Sequence, residues 1–512
     1  MLNSILVLAL LICVLATAMR RMVGANANLR LRLAALGICL IQLVAGGPRL
    51  ELVPAYLVAG VFAVFVAIDM TRKVPATAAN PSIQGLPPSR SGGAFVRTVV
   101  RWTGIAGGTL ALLLAALLCA AFDSLDYPAP TGPYAVGTSE FRLTDTAREE
   151  LLTERSGDYR QILVRVTYPA LNDDAFARLP RDTIQGMASV VTGAMWPNPV
   201  TVSWGAIVTH ARRNALLAAT QQRYPVLIYS HGMGGNAEMN TVLTQHLASH
   251  GYVVMAIDHP FLNSGFRFED GTMIGAESLF DSQFSNTEEQ DRKREELAVL
   301  IENSRDVPLA RLAELIRERA AVNRPQDARW VRLHELMSAD QRFLLDSLSS
   351  LPPGSLLAGR LDLDRIGVFG MSSGGTTTHL TCTRDPRCRA GLNLDGFQPF
   401  LIDLPPLRVP FMHMVSERNF QLAIAHESAE ATSYFVRILG TDHPSFTDFV
   451  LSLHRLRSVS NMLGTIDGER MLSLVNDYVL AFFDEALLDR REPLLHGATS
   501  DRYPEVVMLS KE

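Results

Sequence analysis

The chain has 512 residues, 48% of them hydrophobic and 19% charged, with a mean hydropathy of +0.14, which excludes a disordered or collagen-like protein. The formal net charge of −5 is unevenly spread: residues 1–126 carry ten Lys+Arg and four Asp+Glu, the remainder 37 and 48. So acidic a remainder is a poor nucleic-acid binder, and five cysteines are too few for a disulfide scaffold and fit no zinc spacing.

Four apolar stretches open the chain, at residues 2–19, 33–47, 52–68 and 102–122. A spanning helix needs about 20 mostly apolar residues. The second stretch is short and contains Gln42, yet the arginines require it to cross. Arg20, Arg21, Arg30 and Arg32 fall in the loop before it, and Arg72, Lys73, Arg90, Arg97 and Arg101 in the loop between the third and fourth stretches. By the positive-inside rule both loops are cytoplasmic, so two spans must separate them. Residues 1–126 are therefore expected to form a transmembrane anchor of about four helices, with residues 127–512 on the extracytoplasmic side, in a bacterial inner membrane. Residues 2–19 lack the positive n-region of a cleaved signal peptide. Residues 75–93, rich in Pro, Ser, Ala and Gly, read as a flexible cytoplasmic loop. No ionisable residue is expected mid-membrane, so the helices read as an anchor without a transport role.

From Tyr127 strands and helices alternate. Strands are expected at residues 140–143, 161–168, 225–229, 252–257, 366–369, 390–394, 409–415 and 434–439. Helices are expected at 238–250, directly after Gly375, and at 469–488. Short apolar runs separated by helices predict an α/β fold, a mostly parallel sheet covered on both faces. Residues 261–351 interrupt the rhythm. Within them 285–322 is highly charged with Leu, Ile and Val at helical spacing, and reads as a helical cap.

Chemistry concentrates at Gly370-Met371-Ser372-Ser373-Gly374. This G-x-S-x-G run lies between a predicted strand and a predicted helix, the setting in which a strained turn exposes a nucleophilic serine hydroxyl. The backbone N–H of Ser373 then faces a developing oxyanion. A second donor is expected from the glycine-rich turn Ser230-His231-Gly232-Met233-Gly234-Gly235, with the N–H of Met233 as the candidate and His231 in a structural role. The base should be a histidine late in the chain. His443 follows the last predicted strand. For the acid, Asp395 and Glu417 each end a strand, and either would orient the imidazole. His246 and His250 stand four apart on a helix but without a carboxylate, which favours packing over metal binding. Cys382 and Cys388, the only cysteines beyond residue 126, are expected to close a short disulfide in an oxidising compartment. No metal or organic cofactor is expected.

From about Gly132 to Val507 the chain resembles the platelet-activating-factor acetylhydrolase family and its bacterial dienelactone-hydrolase-like relatives. The resemblance rests on Gly132-Pro133-Tyr134-Ala135-Val136-Gly137, Val166-Thr167-Tyr168-Pro169-Ala170, Tyr229-Ser230-His231-Gly232 and Leu247-Ala248-Ser249-His250-Gly251-Tyr252. The Ser372 turn, Asn393-Leu394-Asp395-Gly396 and His443-Pro444-Ser445-Phe446 complete it, in family order. It implies an α/β-hydrolase fold and a calcium-independent serine ester hydrolase, with Ser372 as nucleophile, His443 as base and Asp395, rather than Glu417, as acid. Met371 and Ser373 stand where the family often has His and Phe. The cap and the anchor lie outside the family core. A serine at the elbow counts against dienelactone as substrate. The expectation is a membrane-held ester hydrolase acting on lipid-like or other apolar esters through an acyl-enzyme. An acyltransferase with the same residues, or a non-catalytic binding protein on the same fold, is the alternative.

Overall fold

The computed structural model describes residues 2–18, 25–46, 52–71, 102–116, 127–153, 157–184, 207–262, 266–267, 273–274, 288–304, 307–322, 324–352, 354–452, 464–497 and 501–512. The expected cytoplasmic loop at 75–93 lies outside the described residues. The chain divides into two compact units, with the boundary between Leu125 and Asp126.

The first unit is helical. Helices α1 (Leu2–Ala18), α2 (Ala25–Gly46), α3 (Val53–Thr71) and α4 (Trp102–Ala116) coincide with the four apolar stretches. They bury Leu6, Leu10, Ala35, Phe62 and Leu112 against one another. Among the described residues one helix is long and apolar enough to cross a membrane, through its segment Ala27–Val44; the other three are shorter apolar helices. That helix contains the stretch expected to be weakest. It starts at Ala25, upstream of the expected 33–47. Arg30 and Arg32, expected in a loop, are therefore helical. Arg32 is buried, its guanidinium carbon 5.6 and 5.3 Å from the ring centres of Phe62 and Phe65 on α3. Aromatic faces offer a desolvated cation some compensation. Arg32 thus lies inside the helical bundle, near the start of the apolar segment Ala27–Val44. Two polar links also join the helices: Tyr56 Oη donates to Gln42 Oε1 at 2.7 Å, and Asn28 Nδ2 to the Ala16 carbonyl at 3.0 Å.

The second unit is built on an eleven-stranded sheet. Its strands are β1 (Ala135–Glu149), β2 (Tyr159–Ala170), β3 (Arg181–Ile184), β4 (Ile207–Arg213), β5 (Tyr224–Ser230), β6 (Val253–Asp258), β9 (Leu361–Met371), β10 (Ala390–Leu394), β11 (Phe411–Ser416), β12 (Ser433–Ile438) and β13 (Val506–Lys511). Two two-residue strands, β7 (Phe266–Arg267) and β8 (Met273–Ile274), pair separately. The order across the sheet is β13-β12-β11-β10-β9-β5-β6-β2-β1-β4-β3. From β12 to β6 all pairings are parallel. Every residue of β5, β6, β10 and β11 is buried, which is why these strands read as unbroken apolar runs. The flanks differ. β2 pairs antiparallel with both β6 and β1, and β13 antiparallel with β12. The expected four-residue strand at 140–143 is the middle of a fifteen-residue β1, and β3, β4 and β13 were not among the expected strands.

Helices α5 (Asp174–Arg178), α6 (Thr241–Ser249), α10 (Ser373–Cys382), α11 (Ala423–Ser428), α12 (Phe449–Ser452) and α13 (Gly468–Leu488) accompany the sheet. The insertion at 261–351 holds α7 (Glu288–Glu302), α8 (Leu309–Val322) and α9 (Arg324–Ser347), so its helical part runs beyond the expected 285–322. Cys382, which ends α10, is bonded to Cys388, six residues on, with the Cα atoms 5.2 Å apart.

Candidate active site

Ser372 stands between the last residue of β9 and the first of α10, with φ 55° and ψ −121°. Such a positive φ is uncommon for a residue with a Cβ and is tolerated only where the surroundings enforce it. Here they do. A Cβ on Gly374 would overlap the Ser230 carbonyl, and one on Gly370 would overlap the backbone of Gly374. The two glycines of the motif are thus demanded by crowding.

Asp395 follows β10, which pairs in parallel with β9, Leu394 opposite Met371. His443 begins the short 3-10 turn after β12. Its Nε2 is 2.8 Å from Ser372 Oγ and its Nδ1 is 2.7 Å from Asp395 Oδ2. With the carboxylate accepting, Nδ1–H donates and Nε2 is free to accept the serine proton. The second carboxylate oxygen, Oδ1, accepts the Ser416 N–H at 2.7 Å and Asn419 Nδ2 at 3.0 Å. Asn419 belongs to no motif, and its position just after β11 was its sole sequence signal. The Asp395 side chain is 2% exposed and that of His443 49%. Burial works to lower the imidazole pKa. The hydrogen bond and charge of Asp395, with Asp442 adding, outweigh it, so His443 titrates above its ordinary value.

The Ser230–Gly235 turn packs directly on this serine. A Cβ on Gly232 would stand 3.0 Å from Ser372 Cβ. The amides of Gly234 and Gly235 are engaged, by Leu262 O and Gly232 O, both at 2.9 Å. Among the described residues the N–H groups of Met233 and Ser373 carry no bond within the protein. The remaining candidates are elsewhere. Glu417 Oε2 accepts the N–H of Gly440 at 2.9 Å and braces the loop leading to His443. The rings of His246 and His250 lie 4.7 Å apart, with Thr131 Oγ1 near both. No group of three metal-binding side chains occurs among the described residues.

A second Ser–His–Asp array escaped sequence reasoning. His259 Nδ1 is 2.9 Å from Asp340 Oδ2, and its Nε2 is 2.9 Å from Ser230 Oγ. Asp340 lies on α9 and is held by Arg160 of β2 through contacts of 3.1 and 2.7 Å. Ser230, His259, Asp340 and Arg160 are all 0% exposed, whereas Ser372 is only partly buried. An ester cannot reach the buried set. Ser230 belongs to the glycine-rich turn already singled out, but His259 and Asp340 lie 29 and 110 positions further along the chain, and the sequence does not link them to it.

The chain is similar to known proteins over most of the second unit. A family model described as "Platelet-activating factor acetylhydrolase, isoform II" matches residues 119–264. Platelet-activating factor acetylhydrolase of Cavia porcellus is 23% identical over 413 residues, 76% of this chain and 85% of that protein. The enzyme of Canis lupus familiaris is 25% identical over 396 residues, 74% and 82% of the two chains. A probable 1-alkyl-2-acetylglycerophosphocholine esterase of Arthroderma benhamiae is 22% identical over 435 residues, 78% and 97%. Among solved structures, a ferulic acid esterase from Streptomyces cinnamoneus superposes with a TM-score of 0.54 at 23% identity, covering 75% of this chain and 98% of that one. The mostly parallel sheet with its helices is consistent with an α/β-hydrolase fold, and the relatives support a carboxylic ester hydrolase.

Proposed function

We propose that this carboxylic ester hydrolase works through an acyl-enzyme on Ser372, with His443 as base and Asp395 as the acid that orients it. The observation that carries the reading is the unbroken chain from Ser372 Oγ through His443 to Asp395, at 2.8 and 2.7 Å. Ser372 Oγ attacks the acyl carbon while His443 Nε2 takes its proton. The carbonyl oxygen becomes an oxyanion received by the N–H groups of Met233 and Ser373. The bond to the alcohol oxygen breaks as His443 returns the proton to it, and water repeats the sequence on the acyl-enzyme. Every step is supplied by this chain's own residues.

The substrate is an apolar or lipid-like ester, such as an acetylated glycerophospholipid. The named relatives and an apolar helical unit of four helices support this choice. The helical unit anchors the protein, and the arginine distribution places the hydrolase unit outside the cytoplasm. The test is labelling by a fluorophosphonate, followed by a substrate panel from short acyl esters to long-chain and oxidised phospholipids. Wild type should be labelled and Ser372→Ala should not, with turnover falling by about 10⁴-fold or more. Labelling and turnover that survive in a folded Ser372→Ala variant would refute the mechanism. Equal turnover of an alcohol acceptor and water would move the reading towards acyl transfer.

A further inference from the structure

The buried Ser230–His259–Asp340 array touches the turn beside Ser372 at two points. One is Ser230 itself. The other is His231: the backbone N–H of His259 donates to His231 Nε2 at 3.2 Å, and His231 Nδ1 lies 2.7 Å from the Gly232 carbonyl oxygen. These contacts settle where the protons are. Although burial works to raise the Asp340 pKa, the charge of Arg160 and the His259 bond hold it below the usual carboxylate range. Asp340 therefore accepts, His259 Nδ1–H donates, and His259 Nε2 accepts from the Ser230 hydroxyl. Ser230 Oγ in turn accepts from Gln341 Nε2 at 2.9 Å. Burial, then the neighbouring His259, pushes the His231 imidazole down to about 3. Neutral His231 accepts at Nε2, so its Nδ1–H donates to Gly232 O.

That last bond fixes a peptide plane. The Gly232 oxygen is held from two sides, by His231 and by the Gly235 N–H. In a trans peptide the carbonyl and the following N–H point in opposite directions, so the Met233 N–H is turned away from His231. We propose that His231, set by His259 and Asp340, is a positioning residue that locks the Gly232–Met233 peptide with its N–H aimed at the oxyanion. The inference rests on the acyl-enzyme reading above and extends it. The cap helix α9, through Asp340, thereby reaches the oxyanion site without touching substrate. The α9 residues Leu333 and Met337 also pack with Leu262, and the Met233 side chain lies against that cluster, so the same helix supports the loop from its apolar side.

The test uses the full-length chain in detergent, a chromogenic short acyl ester, and a trifluoromethyl ketone. The ketone carbon is attacked by Ser372 Oγ, the serine proton passes to His443, and the resulting oxyanion reports on the donors. His231→Leu should lower kcat by about 10–100-fold with KM within about two-fold, since losing an oxyanion donor outright costs about 10²–10³. Ketone affinity should fall in step with kcat. His231→Asn, whose amide nitrogen can take the place of Nδ1–H, should recover most of both. Should His231→Leu fail to fold, Ser230→Ala serves: it removes the hydroxyl holding His259 and leaves Arg160–Asp340 intact, and should lower kcat and ketone affinity together, by about ten-fold. A folded His231→Leu or Ser230→Ala variant with wild-type kcat and ketone affinity would overturn the proposal. So would a loss of rate carried by KM with the ketone bound as before, or an Asn variant no better than Leu at equal thermal midpoint. The acyl-enzyme reading fails separately, if Ser372→Ala still turns over ester and binds the ketone.

Discussion

Ser372 and Asp395 leave adjacent parallel strands at the same level, each at a positive φ. Their φ angles are 55° and 56°, the residues before them are paired across the ladder, and the Ser372 N–H donates to the Leu394 carbonyl at 2.8 Å. Neighbouring strands run about 4.8 Å apart, so the sheet itself sets the gap that the His443 ring bridges.

This geometry separates two carboxylates of equal standing in the sequence. Asp395→Asn should lower turnover by about 10⁴-fold with binding kept, because the amide stabilises the wrong imidazole tautomer. Glu417→Gln should leave the rate near normal, since an amide oxygen still accepts from Gly440. Glu417→Ala should cost about 1 kcal/mol of stability. Steady-state kinetics and thermal melts on the four proteins check this, and the reverse ranking would place the acid one strand along.

The pH profile follows from the raised His443 pKa. Only neutral His443 accepts the Ser372 proton, so kcat/KM should rise with pH through a midpoint above the ordinary imidazole value of about 6.5 and then level off. Asp395 is the main force raising that midpoint against burial, so the residual activity of Asp395→Asn should titrate lower. The same raised pKa contributes stability that is full below the unfolded value and lost as pH rises through the folded one. A midpoint at or below 6.5 in wild type would contradict the arrangement.

The Cys382–Cys388 bridge closes a short loop at the end of α10 far from Ser372. Opening it should cost about 2 kcal/mol by the loop-entropy relation and leave kcat nearly unchanged. Alkylation and peptide mass analysis without reductant should find both cysteines protected. Modification of both before reduction would show that the chain keeps them as thiols.

Topology is the fourth expectation. Reporter fusions after Asp126 should report an extracytoplasmic location and fusions within residues 75–93 a cytoplasmic one. The move of Arg30 and Arg32 into α2 leaves Arg20 and Arg21 as the basic residues before that helix, so reversing those two charges is the sharper probe. Unchanged orientation in that variant would mean that other charges set it.

What was legible in the chain and what was not divide along physical lines. Ser372 was visible because crowding at Gly370 and Gly374 forces a local pattern. The buried parallel strands were visible because burial on both faces makes them continuously apolar. Glu417 and Asp395 were indistinguishable because both end strands, and only the third dimension shows one facing His443 and the other Gly440. The antiparallel flank was only partly visible: 161–168 stood out in β2, but only residues 140–143 of β1, because β1 is largely half-buried or exposed and carries polar residues such as Glu140, Arg142 and Asp145. The Asp340–His259 pair, 81 positions apart, joins an insertion to the sheet and leaves no periodic trace.

That pair bears on how separable the insertion is. An inserted segment that merely shades a site can be trimmed by a protease or an engineer, and the host domain survives. Arg160, wholly enclosed, has Asp340 of the insertion and Glu150 of the sheet flank as counterions. Cutting out residues 261–351 would strand a cation against one carboxylate in the interior, and breaking such a buried partnership typically costs about 3–5 kcal/mol. Insertion and sheet are therefore one inheritance unit: shortened forms of this enzyme would have to replace Arg160 in the same step.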